Sequence, residues 1–157
     1  MTNEIIIRKA VMSDMESLLR FEQGVIDAER PFDITMREDQ IVYYDIDTLI
    51  NAPHIEMLVA EMSSQLVGCG YVRIEDAKSH LKFKKFGYLG FMYVEPDFRG
   101  RGINRRIVEG LQNWCKAQKI MELRLDVYSK NLGAIRAYEK AGFSSHMLEM
   151  RMKLKEH

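Results

Sequence analysis

The sequence has no excess of charge of either sign. Its 157 residues carry 23 Lys and Arg against 23 Asp and Glu, which excludes a general electrostatic attraction to nucleic acid or to an anionic membrane. Any anion site must therefore come from local clustering of cations. Such a cluster is formed by Arg99, Arg101, Arg105 and Arg106.

Cysteines and long apolar runs are also scarce. The two cysteines, Cys69 and Cys115, lack the short C-x-x-C spacing of a metal or redox pair, and we expect both to be buried, reduced thiols. No stretch approaches the ~20 apolar residues that span a bilayer. The four histidines are dispersed, which supports neither a metal site nor a catalytic triad. We therefore expect a cytoplasmic protein that binds no metal.

The length and the 46% hydrophobic content suit one globular domain over residues 1–157. Hydrophobic periodicity then predicts the elements in chain order. They are a strand at 4–8, a helix opened by a capping box from Ser13 to Glu16, a second helix at 37–50, paired strands at 55–62 and 66–75, a buried strand at 88–94, a helix from Ile103, a strand at 122–128, a helix at 132–140 and a last strand at 148–154. This order predicts an α/β protein with a mixed sheet covered by helices.

The most informative segment covers residues 94–105, where an apolar strand passes through a basic, glycine-rich turn into an amphipathic helix. Gly100 and Gly102 permit backbone conformations and close approaches that a Cβ would block. The amides of a helix N-terminus offer hydrogen-bond donors and positive potential to a phosphate. Formal charge is added by Arg99, Arg101 and Arg105. An ordinary strand-to-helix connection is the alternative that this segment alone leaves open.

Two motifs resemble those of the GNAT N-acetyltransferase superfamily. The first, RGRGIN at 99–104, is similar to the family signature Gln/Arg-x-x-Gly-x-Gly/Ala, and MYVEP at 92–96 resembles the strand before it. The second, NLGAIRAYEKAGF at 131–143, resembles the other characteristic motif. Asn104 departs from the pattern, which has Gly or Ala there. Its side chain either crowds the turn or adds a hydrogen bond to phosphate.

The resemblance implies a GNAT-like fold, with a central, mostly antiparallel sheet whose strands splay apart and which helices flank. In that family the strand matching 88–94 diverges from the one matching 122–128, and the gap receives the pantetheine arm of acetyl-CoA, the expected cosubstrate. Pro96 suits the divergence because it cannot donate a ladder hydrogen bond. Backbone groups of Met92, Tyr93 and Val94 would then pair with the pantetheine amides. The residues expected to hold the pyrophosphate are Arg99, Gly100, Arg101, Gly102, Ile103, Asn104 and Arg105.

The resemblance also implies direct attack by the acceptor amine in a ternary complex. A backbone amide near Val94 would stabilise the oxyanion, an effect worth ~3 kcal/mol per donor in other acyl-transfer enzymes. Tyr138 occupies the position that the family commonly uses to protonate the departing thiolate, and a phenol can do this when proton transfer accompanies bond breaking. The alternative for Tyr138 is a packing role on its helix.

A general base or a water chain should remove a proton from an amine that arrives protonated. Asp126 is the first candidate, because the chain around it is similar to ribosomal-protein N-terminal acetyltransferases, in which a Glu at the matching strand position serves as base. Asn131 matches a residue that contacts the cofactor in those relatives, although N-capping of the next helix explains it equally. A solvated strand carboxylate is the alternative for Asp126. Other candidate bases are Glu22, Glu29 and Glu95.

The sequence therefore predicts an N-acetyltransferase that uses a primary amine of a small molecule or of a peptide N-terminus. The alternative is a binding module that keeps the cofactor cradle and acts as an acyl-CoA sensor or partner-binding subunit. The acidic segment 23–54 favours a cationic acceptor. The last strand, exposed at one edge, would be able to pair across a homodimer.

Overall fold

The computed structural model of the chain describes residues 4–156. These residues divide after Asp126 into two compact units. The first unit contains the sheet and the helices that cover it, and the second contains one helix and the C-terminal segment.

The first unit is built on a five-stranded sheet whose strands follow one another in chain order. They are β1 (Ile5–Lys9), β2 (Ile55–Met62), β3 (Gln65–Asp76), β4 (Lys85–Val94) and β5 (Leu123–Arg124). The first four are antiparallel neighbours and β5 runs parallel to β4. Ser63 and Ser64 join β2 to β3 with φ angles of 51° and 65°, which matches the twist of a tight hairpin. The predicted mixed, mostly antiparallel sheet is confirmed.

Helices cover both faces of this sheet. The helices α1 (Met15–Glu29) and α2 (Ile46–Asn51) bury apolar side chains on one face, together with Met57, Tyr71 and Phe91 from the strands. The helix α3 (Ile103–Ala117) lies on the other face, where the backbone of β3 at Gly70 meets its Ile107 side chain. Cys69 and Cys115 are buried and unpaired, as predicted.

Strand β4 carries a β-bulge in its second half. Tyr71 pairs with Gly90 and Cys69 pairs with Tyr93, so two residues of β4 oppose one residue of β3. Phe91 takes the extra position with a φ of 52°, which is rare for a bulky residue. The Phe91 ring is buried and stacks on Tyr44 at 4.4 Å between centroids, and this packing holds the strained backbone in place.

Two predicted helix features are wrong. No Ser13 capping box opens α1, because the Asp14 carboxylate instead accepts the Val11 N–H at 2.9 Å while it binds Arg8. Of the helix predicted at 37–50, only α2 forms. The backbone that precedes α2 is bonded instead to side chains of α1 and of the turn that follows α1. Glu22 accepts the N–H groups of residues 43 and 44, and the Arg30 guanidinium donates to the carbonyls of residues 37 and 39.

Two predicted strands are also shorter or missing. The strand predicted at 122–128 pairs with β4 only through Leu123 and Arg124, because the chain leaves the ladder after them. The strand predicted at 148–154 forms no ladder within residues 4–156, although its alternation of apolar and charged residues is that of a half-buried strand. Its apolar members are exposed, so no described surface covers that face.

The second unit contains α4 (Leu132–Lys140), and both ends of this helix follow the sequence prediction. The Asn131 side chain caps the N-terminus by accepting the Ala134 N–H at 3.2 Å. Gly142, with a φ of 107°, ends the helix, and the Phe143 N–H returns to the Tyr138 carbonyl at 3.0 Å. This is the left-handed glycine termination that common helix C-caps use.

Candidate active site

The second half of β4 has an open edge. Its pairing with β5 ends at Tyr88, and within the described residues no strand pairs with it beyond that point on this side. The Glu95 N–H bonds to Val67 of β3 at 2.8 Å, so by alternation the backbone groups of Tyr93 also face β3. The N–H and C=O of Met92 and Val94 therefore point toward the open edge, as the splayed strands of the prediction require.

The open edge leads directly into the glycine-rich turn. After a single 3-10 turn at Pro96–Phe98, the chain passes through Gly100 and Gly102 with φ angles of 78° and 76°. A Cβ at either glycine would meet nothing within 4 Å, so backbone conformation and not crowding demands glycine here. The turn is open on its outer side, which leaves room for a ligand.

The N-terminus of α3 follows the turn at once and has no side-chain cap. Gly102 is its N-cap residue and offers no side-chain acceptor to the first amides. Ile103 is buried against the sheet, while Asn104 is half-buried and Arg105 is exposed. The first amides of a helix have no intrahelical partner, so this end supplies donors and positive potential to an anion.

The four clustered arginines have different partners. Arg106 donates to the Ile5 carbonyl at 2.7 Å and so ties α3 to β1. Arg99 donates to the Val94 carbonyl at 2.9 Å. Arg101 lies over the Phe98 ring and makes only a 3.4 Å contact with the Asp97 carbonyl, and Arg105 pairs with Glu109 in an exposed salt bridge. Arg101 and Arg105 are therefore the cations held least firmly near the turn.

A tyrosine and a carboxylate meet where β4 and β5 separate. The Tyr88 hydroxyl donates to the Asp126 carboxylate at 3.0 Å, and the side chain of Asp126 is otherwise exposed. Burial of the Tyr88 phenol, and then its hydrogen bond to Asp126, raise the pKa of Tyr88 well above its ordinary value. Tyr88 therefore stays protonated and remains a donor throughout the neutral range.

The other candidate bases differ in their surroundings. Glu22 is buried and accepts two backbone N–H groups, so it holds the segment after α1 in place. Glu95 is paired with Arg20 at 3.2 Å. Burial raises the pKa of Glu29, and a hydrogen bond from Tyr43 partly opposes this rise. Glu29 and Asp126 are thus the two of these carboxylates with chemistry suited to a base.

The residues predicted in the second unit both lie on α4. Asn131 is its N-cap, and this structural role is confirmed. Tyr138 is half-buried, with its ring edge-on to Phe143 at 5.8 Å between centroids. Both the cofactor contact of Asn131 and the acid role of Tyr138 stay predictions.

Sequence reasoning missed Tyr88 and the bulge at Phe91. Tyr88 stands in an apolar run without alternation, and its partner Asp126 lies 38 residues away, so no local pattern relates them. Phe91 is a residue type that disfavours a positive φ, so nothing in the sequence marks the bulge.

Residues 4–156 contain no group of three or more His, Cys, Asp or Glu side chains arranged to hold a metal ion. Over the same residues, no helix has both the length and the apolar character needed to cross a membrane.

Comparison with known proteins agrees with this geometry. A profile of the acetyltransferase (GNAT) family matches residues 15–143. The chain is 32% identical to IAA acetyltransferase of Azospirillum brasilense over 100 residues. This match covers 64% of this chain and 61% of that protein. The chain is also 37% identical over 51 residues to [Ribosomal protein bS18]-alanine N-acetyltransferase of Salmonella typhimurium, which covers 32% of this chain and 34% of that protein. The chain thus spans less than two thirds of the length of either relative.

A solved structure shares the fold. A predicted acetyltransferase from Clostridium acetobutylicum, crystallised with acetyl-CoA, superposes with a TM-score of 0.72 at 22% identity, over 96% of both chains. At this identity the likeness concerns the fold alone.

Proposed function

Because this chain belongs to the GNAT acetyltransferase family, we propose that it is an N-acetyltransferase acting on a primary amine of a small molecule or of a peptide N-terminus. The observation that carries the proposal is the open edge of β4, which is followed by the glycine-rich turn and the uncapped N-terminus of α3. We further propose that residues 1–157 act as one acetyltransferase domain, since the family match extends across both units.

The residues at this edge suit acetyl-CoA as the cosubstrate. Met92 offers a backbone donor and acceptor and Val94 offers its N–H, groups of the kind that pair with the amides of a pantetheine arm. The Val94 carbonyl already accepts from Arg99. The turn at Gly100 and Gly102 is open, and the α3 amides suit a pyrophosphate. When bound, acetyl-CoA supplies an acetyl group activated as a thioester.

Proton transfer from the acceptor amine is the task we assign to Asp126. Its carboxylate is exposed, and the Tyr88 hydroxyl holds one of its oxygens. A carboxylate fixed by one hydrogen bond keeps its remaining lone pairs for an incoming ammonium group. Glu29 is the second candidate, because its burial raises its pKa toward the range that favours a base.

Proton transfer to the leaving sulfur is the task we assign to Tyr138. Its phenol carries a hydroxyl that can donate, and replacement by Phe preserves the ring that packs against Phe143. The variant Tyr138→Phe therefore separates the acid role from the packing role. Loss of transfer with unchanged unfolding temperature supports the acid, and full activity supports packing alone.

The test is mass-spectrometric detection of acetyl transfer from acetyl-CoA to pooled amines, polyamines, aminoglycosides and N-terminal peptides. Asp126→Asn and Glu29→Gln are assayed beside the wild type, since each removes one base and keeps the side-chain shape. We expect transfer by the wild type and a loss of about 100-fold or more in the variant that lacks the base. If both variants were as active as the wild type, neither carboxylate would be the base.

Absence of transfer from every pool would refute the enzyme proposal. Binding of CoA measured by calorimetry then decides what remains. Binding without transfer would favour the acyl-CoA sensor, whose cradle needs only the backbone of β4 and α3. No binding would reject acetyl-CoA as the cosubstrate.

A further inference from the structure

Arg99 is the one arginine of the cluster that contacts the open edge of β4. Its Nε donates to the Val94 carbonyl at 2.9 Å, and a charged donor makes this bond stronger than a neutral amide would. Its guanidinium carbon also lies 5.8 Å from the centre of the Tyr93 ring. One side chain thus contacts both Val94 and the residue before it.

The Tyr93 ring is itself held from the other side. It packs against Phe21 of α1 at 5.0 Å between centroids, and it lies so close to Gly24 that a Cβ there would come within 2.6 Å of the Tyr93 hydroxyl. Tyr93 is therefore fixed between α1 and the Arg99 guanidinium. The peptide groups on both sides of Val94 share this restraint.

The same contact turns the Arg99 guanidinium toward β4 and uses one of its five N–H donors. A guanidinium whose Nε is bonded to a strand carbonyl has fewer donors left for a phosphate. Arg101 has a 3.4 Å contact with the Asp97 carbonyl and lies over the Phe98 ring, both within the turn, and Arg105 has an exposed ion pair. These two side chains can turn toward an anion at small cost.

We propose that Arg99 is a positioning residue, which restrains both peptide groups that flank Val94, one through the Val94 carbonyl and the other through the Tyr93 ring. The Val94 N–H then stays directed at the open edge, while Arg101 and Arg105 serve the pyrophosphate. This assignment differs from the role in pyrophosphate binding that the motif alone assigns to Arg99. Its catalytic consequence rests on the proposed function, because it concerns the amide expected to donate to the acyl oxygen.

The test compares Arg99→Met with Arg101→Met, which remove the same charge two positions apart. CoA affinity is measured by calorimetry at low and high salt, and kcat and KM are measured with the best acceptor. For Arg99→Met we expect CoA affinity within about twofold of wild type and kcat lower by about tenfold or more. For Arg101→Met we expect CoA affinity lower by about threefold to tenfold at low salt, a smaller salt dependence and little change in kcat.

Two more readouts isolate the positioning role. Arg99→Lys keeps a charged donor near the Val94 carbonyl, and we expect it to recover part of kcat. In the labelled free protein, the carbonyl carbon signal of Val94 reports its hydrogen bond without any turnover. We expect this signal to shift in Arg99→Met and to stay in place in Arg101→Met.

The inference is overturned if Arg99→Met weakens CoA binding as Arg101→Met does and leaves kcat unchanged, or if the Val94 signal does not move. If no acceptor is acetylated, the proposed function fails, and the CoA titrations with the Val94 signal still decide whether Arg99 serves the strand or the anion.

Discussion

Gly102 is the position at which the need for a left-handed glycine in the turn can be tested most directly. It caps α3 with a φ of 76°, and a Cβ at this position would meet nothing within 4 Å. Gly102→Ala therefore introduces no clash, and any cost comes from the left-handed backbone. That cost is roughly 1–2 kcal/mol for an L-residue, while the stiffer unfolded chain gives back about 0.4–1 kcal/mol.

The expected net loss for Gly102→Ala is about 1 kcal/mol, or about 2–4 °C in unfolding temperature for a chain of this size. The assay is urea unfolding followed by circular dichroism, with thermal unfolding as a second measure. Gly102→Asn is the control at the same position, and we expect it to lose less, because Asn tolerates the left-handed region.

Gly133→Ala is the control of opposite sign. This glycine lies in α4, also has open space at its Cβ, and has no positive φ. Alanine there should raise helix stability, by less than the ~0.5–1 kcal/mol expected in the middle of a helix, because Gly133 is the second residue of α4. If Gly102→Ala were neutral or stabilising, or if Asn at 102 cost more than Ala, the left-handed backbone would not be what demands glycine at this position.

Three more predictions concern the rest of the first unit. Phe91→Ala should lose about 3–5 kcal/mol of unfolding free energy, and Phe91→Gly should lose about 1 kcal/mol less because glycine relieves the positive φ; a less stable Gly variant would contradict the strain. The hydrogen bond from Arg8 holds the pKa of Asp14 below its usual range, so the pair should stabilise the fold above about pH 4 and lose its effect as the pH falls through the lowered pKa. In urea unfolding, Asp14→Asn should therefore be less stable than wild type by about 2 kcal/mol at pH 7, and a gap that did not narrow as the pH fell through the lowered pKa would argue against the pairing. Burial raises the pKa of both thiols, that of Cys115 to about 11, so Ellman's reagent should react slowly with the native protein and rapidly in guanidinium, whereas rapid native reaction would show that the thiols are accessible.

The parts of the fold that the sequence predicts are those with local causes. The β2–β3 pairing follows from the short polar turn that separates two predicted strands, and the ends of α4 follow from Asn131 and Gly142. The failures have distant causes. Glu22 binds the backbone of residues 43 and 44, and this bonding replaces a helix that local periodicity favours.

The features of the candidate site also fall into those with local causes, which the sequence predicts, and those with distant causes, which it does not. The turn at Gly100 and Gly102 is readable because positive φ angles demand glycine. The contact between Tyr88 and Asp126 joins two strands that are distant in sequence, and no local rule indicates it. The catalytic role of Tyr138 rests on resemblance, the cytoplasmic location on the expected reduced thiols and the absence of long apolar runs, and the homodimer on an exposed strand. All three stay predictions.

The bulge at Phe91 exchanges the faces of the sheet on which the odd-numbered and even-numbered residues of β4 lie. Before it, Tyr88 and Gly90 face α1, and after it the odd-numbered Tyr93 takes that face, while Met92 turns to α3 and contacts the backbone at Gly70. Removing one residue here would exchange the partners of every side chain from Met92 to the end of the strand. Insertions and deletions should therefore be tolerated at the Ser63–Ser64 turn and rejected in β4. The bulge is thus the best reference point for aligning distant relatives.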